Sequence, residues 1–175
     1  MISRKNNVLG YLYVILATTL WGSASVLAKS LINSGLSPFL LAQIRLSLAA
    51  LILFLIILFF DQRRLRISMK DLPYFIIFGI VGMVGNQLMF YLTISKIQVA
   101  PTVLIQYLSV LWVAIYASLF QEEPFSRRTA VSLCLAILGC YLAVGGYQFD
   151  FFRMNRVGIL MGTISSFFIA FYVLY

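Results

Sequence analysis

The 175 residues are 62% apolar and only 10% charged, with a mean hydropathy of +1.00, far from the roughly half-apolar, quarter-charged mix of a soluble domain. If each span takes about 20 residues to cross the hydrocarbon, the length accommodates about six or seven spans and no second, soluble domain. The chain lacks histidine, and its two cysteines, Cys134 and Cys140, sit in an apolar run without paired CxxC spacing, so metal and thiol chemistry are excluded and no cofactor is expected. The net charge of +8 comes from Lys and Arg placed in small groups between apolar runs, which points to membrane topology and not to nucleic acid.

In chain order the apolar runs cover about 8–29, 39–60, 73–95, 100–120, 129–147 and 157–175. Helix punctuation separates them: Asn33-Ser34-Gly35 and Pro38, Asp71-Leu72-Pro73, Ala100-Pro101, Glu123-Pro124, and Gly145-Gly146. The fold expected is an all-α, polytopic membrane helix bundle. A transmembrane barrel needs segments of about ten residues that alternate apolar and polar. Leu51 to Phe60 is apolar throughout, which rules that out. The first run, preceded by Arg4 and Lys5, has an apolar core longer than that of a cleavable signal peptide and is read as a span.

Basic residues are retained on the cytoplasmic side. Arg4, Lys5, Arg63, Arg64, Arg66, Lys70, Arg127 and Arg128 fall at one set of span ends, against Lys96, Arg153 and Arg156 at the other. The bias predicts a multi-pass protein of the cell membrane with a cytoplasmic N-terminus.

Trp21-Gly22 in the first run, Lys29 seven residues on, Pro38, and Arg45 inside the second run resemble the opening of the EamA-like family of drug/metabolite transporters. The likeness continues through Ala100, the aromatic fourth run ending at Gln121-Glu122-Glu123, and Gly139. In the fourth run a proline frequent in that family is replaced by Ser109. The resemblance implies a carrier of ten helices in two five-helix repeats of opposite orientation. On that view residues 8–147 are one repeat, and 157–175 are the first helix of an incomplete second one. The expected partners are the lipid bilayer, a small-molecule metabolite and the second five-helix repeat missing from this chain. In line with this, Gly158 to Tyr175 can be laid on Gly10 to Leu27, matching Gly158 with Gly10. Inverted repeats place their substrate site at the repeat interface near the midplane.

Polar residues inside spans are the candidates for such a pathway, because burying them in hydrocarbon is costly. They are Trp21, Ser25, Lys29, Arg45, Asn86, Tyr91, Gln106 and Ser109. Lys29 and Arg45 either snorkel to the headgroups or line an outer vestibule. Thr18, Gly22, Ser25 and Lys29 share one face of the first helix, suited to a water-filled path or to close helix packing. Gly79, Gly82 and Gly85 read as packing positions. Asn86 bonds another helix or meets solute, and Tyr91 competes for an aromatic-belt role. Thr102, Gln106 and Ser109 form a polar stripe bordered by Tyr107, Trp112 and Tyr116.

No Asp or Glu lies within any run, which argues against proton-coupled export of cationic drugs and leans toward a zwitterionic or anionic metabolite, such as an amino acid. Asp61, Asp71 and Asp150 lie in loops, so no constellation for enzyme chemistry exists. The expectation is a metabolite exporter or permease working by alternating access. A non-transporting or partner-dependent membrane subunit is the alternative.

Overall fold

The computed structural model describes residues 4–60, 62, 68–120, 127–143 and 154–175, with side chains of residues 4–8, 128, 129 and 143 left aside. Asp61, Arg63, Arg64, Arg66, Gln121, Glu122, Glu123, Pro124, Gly145, Gly146, Asp150 and Arg153, used above for topology, helix ends and loops, lie outside the described residues. Among the described residues there is no strand. The described residues form six long helices: α1 (Arg4–Asn33), α2 (Pro38–Phe60), α3 (Leu72–Lys96), α4 (Val99–Phe120), α5 (Arg127–Ala143) and α6 (Arg156–Leu174). All but α5 are long and apolar enough to cross a membrane, and α5 carries a shorter apolar stretch, Ala130–Leu142. Polar backbone cannot be left unpaired in lipid, so continuous helices are the expected solution.

The helix ends follow local chemistry. At the end of α1 the amide of Leu36 bonds the carbonyl of Leu31, and that of Gly35 bonds Ile32, both at 3.0 Å. This Schellman arrangement requires a left-handed residue, which Gly35 supplies with φ of 102°. Pro38 then opens α2, where its missing N–H costs nothing. Between α3 and α4 only Ile97 and Gln98 leave the helical region, with ψ of 176° and 161°. So short a turn keeps the end of α3 beside the start of α4.

Two internal irregularities carry no compositional signal. Phe78–Gly85 in α3 is π-helical. In α4, Tyr107 interrupts the α pattern, with Val110 N bonded to Tyr107 O at 3.1 Å. This break falls two residues before Ser109 and is made without a proline.

α6 is the most enclosed span, packed along both α3 and α4, whereas α2 rests on α3, α1 touches the end of α3 and the start of α4, and α5 meets the first half of α4. Gly158, Gly162, Ser165, Ser166 and Ala170 form the buried face of α6. A Cβ on Gly158 would lie 2.9 Å from both Ile97 Cγ2 and Lys96 Cβ, one on Gly162 3.1 Å from Ile105 Cγ2, and one on Gly85 3.0 Å from Phe168. Antiparallel α3 and α6 therefore approach along a seam of small residues, the usual device where no hydrophobic force drives helices together. Gly82 shares the seam in looser contact, while Gly79 faces open space. A second cluster joins α1, α2 and α3 through Ala28, Leu41, Ala42, Phe90, Tyr91 and Ile94. Elsewhere the surface is apolar, from Tyr11 and Ile15 to Phe59 and Phe60, and no span has more than 28% of its apolar window buried. In water such a surface would aggregate; against lipid tails it is solvated.

Gly162→Leu is expected to destabilise the bundle by about 1–3 kcal/mol, the usual cost of overpacking. Gly79→Leu should leave the melting temperature in detergent unchanged or raised, since nothing lies within 4 Å of its Cβ position. Thermal unfolding of the two variants side by side checks this.

Candidate functional site: a cavity between α1 and α4

The polar stripe of α1 and that of α4 face each other across a cavity of about 340 Å³. From α1 come Thr18, Trp21, Gly22 and Ser25; from α4 come Gln106, Tyr107 and Ser109; Phe90 of α3 and Ile169 of α6 close the space between them. The α1 stripe results from steps of four and three residues, which keep side chains on one helical face. The α4 face is shaped by the irregular turn at Tyr107, which brings Gln106, Tyr107, Ser109 and Val110 to one wall within five residues. Trp21 is 56% exposed and so is a wall of this space, not a packed core residue. Among the described residues, no charged side chain lines the cavity. Its size falls within the range of small-molecule sites, and its apolar wall with a few hydroxyl and amide groups matches their usual make-up.

Four of the eight candidate residues, Trp21, Ser25, Gln106 and Ser109, line this cavity. The other four are placed elsewhere, each in a contact of its own. Lys29 lies one turn beyond Ser25, and its Nζ donates to the carbonyl oxygens of Ile94 and, at 3.2 Å, of Ile97. Those carbonyls belong to the end of α3, where helical acceptors are otherwise left over and a cation interacts favourably with the helix dipole.

Arg45 is held at the contact of α2 with α3. Its Nη1 donates to Tyr91 Oη at 2.8 Å. Gln87 completes the group: its amide oxygen accepts from Arg45 Nε at 3.1 Å, from Nη1 at 2.9 Å and from Tyr91 Oη at 3.2 Å, the amide orientation in which each donor meets an acceptor. Tyr91 is 1% exposed, so its ring is core and its hydroxyl is the arginine's anchor.

Asn86 belongs to a relay that crosses three helices. Gln106 Nε2 of α4 donates to Ser165 Oγ of α6 at 2.9 Å, and Ser165 Oγ donates to Asn86 Oδ1 of α3 at 3.0 Å. The adjacent Ser166 accepts from Trp112 Nε1 at 2.9 Å and donates to its own helix at Thr163 O. Trp112 also stacks on Phe167, with centroids 4.2 Å apart, which turns it toward α6 and away from the cavity. Ser165 and Ser166 are not candidates on sequence grounds, and Gln87 stands beside Asn86 among the polar residues of the third run with no role assigned to it. The available signal was two adjacent serines at the middle of an otherwise apolar run, and a glutamine four residues before Tyr91 on the same face.

A helical bundle with apolar outer faces and a half-enclosed cavity between its spans has the make-up of an integral membrane protein. The comparison of the sequence with known families agrees: the chain matches the EamA-like transporter family over residues 8–145. It belongs to that family. It is similar to an uncharacterized inner membrane transporter, YicL, of Salmonella typhimurium, with 29% identity over 166 residues, which make up 93% of this chain and 55% of the relative. The chain thus spans about half the length of that curated relative. No solved structure matches the chain significantly.

Ser165→Ala should destabilise the bundle by about 0.6–1.7 kcal/mol, the range measured for hydrogen bonds between membrane helices. Combining it with Gln106→Ala should cost less than the sum of the two single changes, because both remove the same bond. Equilibrium unfolding in mixed detergent micelles, run as a double-mutant cycle, tests the coupling.

Proposed function

We propose that the cavity between α1 and α4 is part of the solute path of a small-metabolite carrier that works by alternating access. The observation that carries this reading is the convergence of two polar faces, Thr18–Gly22–Ser25 on α1 and Gln106–Ser109 on α4, on one half-enclosed space in a bundle whose outer surface is apolar. Polar groups are expensive at this depth, and Thr18 and Ser25 are not engaged in helix-to-helix bonds. The lining favours a solute that is small and partly apolar, recognised by hydroxyl and amide groups; amino acids and related metabolites fit that description.

In this reading residues 8–147 form one repeat and α6 opens a second of inverted orientation, whose remaining helices complete the path on the open side of α1. The packing of α6 into the angle between α3 and α4 supports it, since an odd number of spans per repeat inverts the second copy and brings the two into contact. The basic residues at the α2–α3 and α4–α5 connections support a cytoplasmic N-terminus, which in this reading leaves Ser34, at the α1–α2 turn, on the outer side.

The test is counterflow of radiolabelled amino acids of differing side chains into vesicles carrying the chain joined to the remaining helices of the second repeat that this reading requires. At least one should exchange above empty vesicles, and Ser109→Leu or Gly22→Leu, which fill the cavity, should lower that flux by about tenfold or more without loss of folded protein. Flux indifferent to both substitutions would remove the cavity from the path. Separately, Ser34→Cys should react with an impermeant thiol reagent on intact cells and not only after lysis.

A further inference from the structure

The two walls of the cavity are held in different ways. On the α4 side Gln106 and Trp112 are bonded to Ser165 and Ser166 of α6, and Ser165 is bonded on to Asn86 of α3. That wall is stitched to its neighbours by side-chain hydrogen bonds.

On the α1 side the hydroxyls turn back on their own helix. Thr18 Oγ1 donates to Val14 O at 2.9 Å and Ile15 O at 3.0 Å, and Ser25 Oγ to Trp21 O at 3.0 Å. Thr19 and Ser23, on other faces, do the same toward Ile15 and Leu20. Nothing lies within 4 Å of where a Cβ on Gly22 would sit. Among the described residues, the hydrogen bonds that tie α1 to another helix come from Lys29 alone, to the carbonyls of Ile94 and Ile97. Packing has the same polarity: Ser25 and Ala28 are 4% exposed, whereas Tyr11, Leu12 and Trp21 are more than half exposed.

We infer that α1 is the movable wall of the cavity and that Lys29 is the latch holding it against the α3–α4 turn. Ile94 lies in the last turn of α3 and Ile97 opens the α3–α4 turn, and Lys29 lies one turn beyond the cavity-lining Ser25, so the latch closes the end of the cavity next to it. The acceptors suit a reversible catch. They are carbonyls at a helix terminus, which water can satisfy once the ammonium leaves, and the lysine stem is long enough to carry its charge to the headgroups. Release therefore strands neither partner, in contrast to a broken Gln106–Ser165–Asn86 relay, which leaves amide groups unpaired in a dry seam. Lys29 acts as a positioning residue: it sets where α1 sits and touches no solute.

The inference rests on the cavity being the solute path, but its test needs no solute. In the chain carrying Cys134→Ala and Cys140→Ala, a reporter at Ser109→Cys, 7% exposed beneath α1, is reacted in membranes with a charged methanethiosulfonate, and Ser166→Cys, fully buried beside Trp112, serves as control. Lys29→Met should raise the Ser109→Cys rate by about tenfold, the scale of a shifted two-state equilibrium, and Lys29→Arg should return it close to the parent rate. The Ser166→Cys reporter should stay unreactive throughout. An unchanged rate in Lys29→Met would overturn the latch, as would a Lys29→Arg rate equal to that of Lys29→Met. Labelling of Ser166→Cys in step with Ser109→Cys would also overturn it, because Lys29 would then be holding the whole bundle together. Vesicles that show the expected labelling but no flux for any solute would keep the latch and remove the carrier reading.

Discussion

The hydroxyl of Ser165 stands where three helices meet, taking a hydrogen bond from Gln106 and giving one to Asn86. In a hydrocarbon surrounding, an amide with no partner costs more than a helix–helix contact returns, so the two amides fix how α3, α4 and α6 are rotated about their axes. The glycines make the bond lengths attainable. Gly85, Gly158 and Gly162 let α6 approach α3 and the start of α4 so closely that a single methyl group would collide. Ser165 and Ser166 are buried because α6 is drawn in, and α6 is drawn in because its contact face is built from Gly, Ser and Ala. The polar relay and the small-residue seam are one device. The wall of the cavity contributed by α4 inherits its rigidity from it.

Charge is handled by the opposite strategy, at the edges of this seam. Lys29 and Arg45 each carry a positive charge into a span, and each finds oxygen atoms rather than a carboxylate: two backbone carbonyls for the lysine, a phenol and an amide for the arginine. Both sit on the side of α3 that meets α1 and α2. The consequence is a cavity lined by neutral groups, with the cations spent on holding helices. That shifts the expected solute away from an anion gripped by Lys29 or Arg45 and toward one recognised through hydroxyl, amide and aromatic groups.

Much of the bundle is legible in the chain because the physics that makes it is compositional. Six apolar runs, broken at Gly35–Pro38, at Pro73 and at Pro101, correspond to six helices, and the stripes on α1 and α4 are visible as spacing alone. What escapes is whatever depends on partners distant in sequence. Lys29 is read as a snorkelling or vestibule residue because its acceptors are main-chain oxygens 65 and 68 positions away, and a backbone carbonyl leaves no letter in the sequence. The role of Asn86 as a link between helices was one of two open readings, and its partner Ser165 hid in a run noticed only for its hydrophobicity. The π-helical stretch Phe78–Gly85 and the turn at Tyr107 are backbone adjustments that many sequences tolerate, so neither residue type nor spacing announces them.

The self-contained hydroxyls of α1 bear on how the protein enters its membrane. Since Thr18, Thr19, Ser23 and Ser25 are all satisfied by carbonyls three or four residues back in the same helix, the hydroxyls of α1 need no partner helix when it enters lipid, and Lys29, near the end of the span, can reach the headgroups until α3 arrives. The side chains of Asn86, Gln106 and Trp112 have no such refuge, and their partners are on α6, the last of the six helices to be synthesised. Until α6 arrives, α3 and α4 carry amides that must be shielded by water or by a chaperoning helix. Biogenesis thus has a vulnerable interval in the middle of the chain, not at its start, and quality-control factors that recognise exposed intramembrane amides would find their target there.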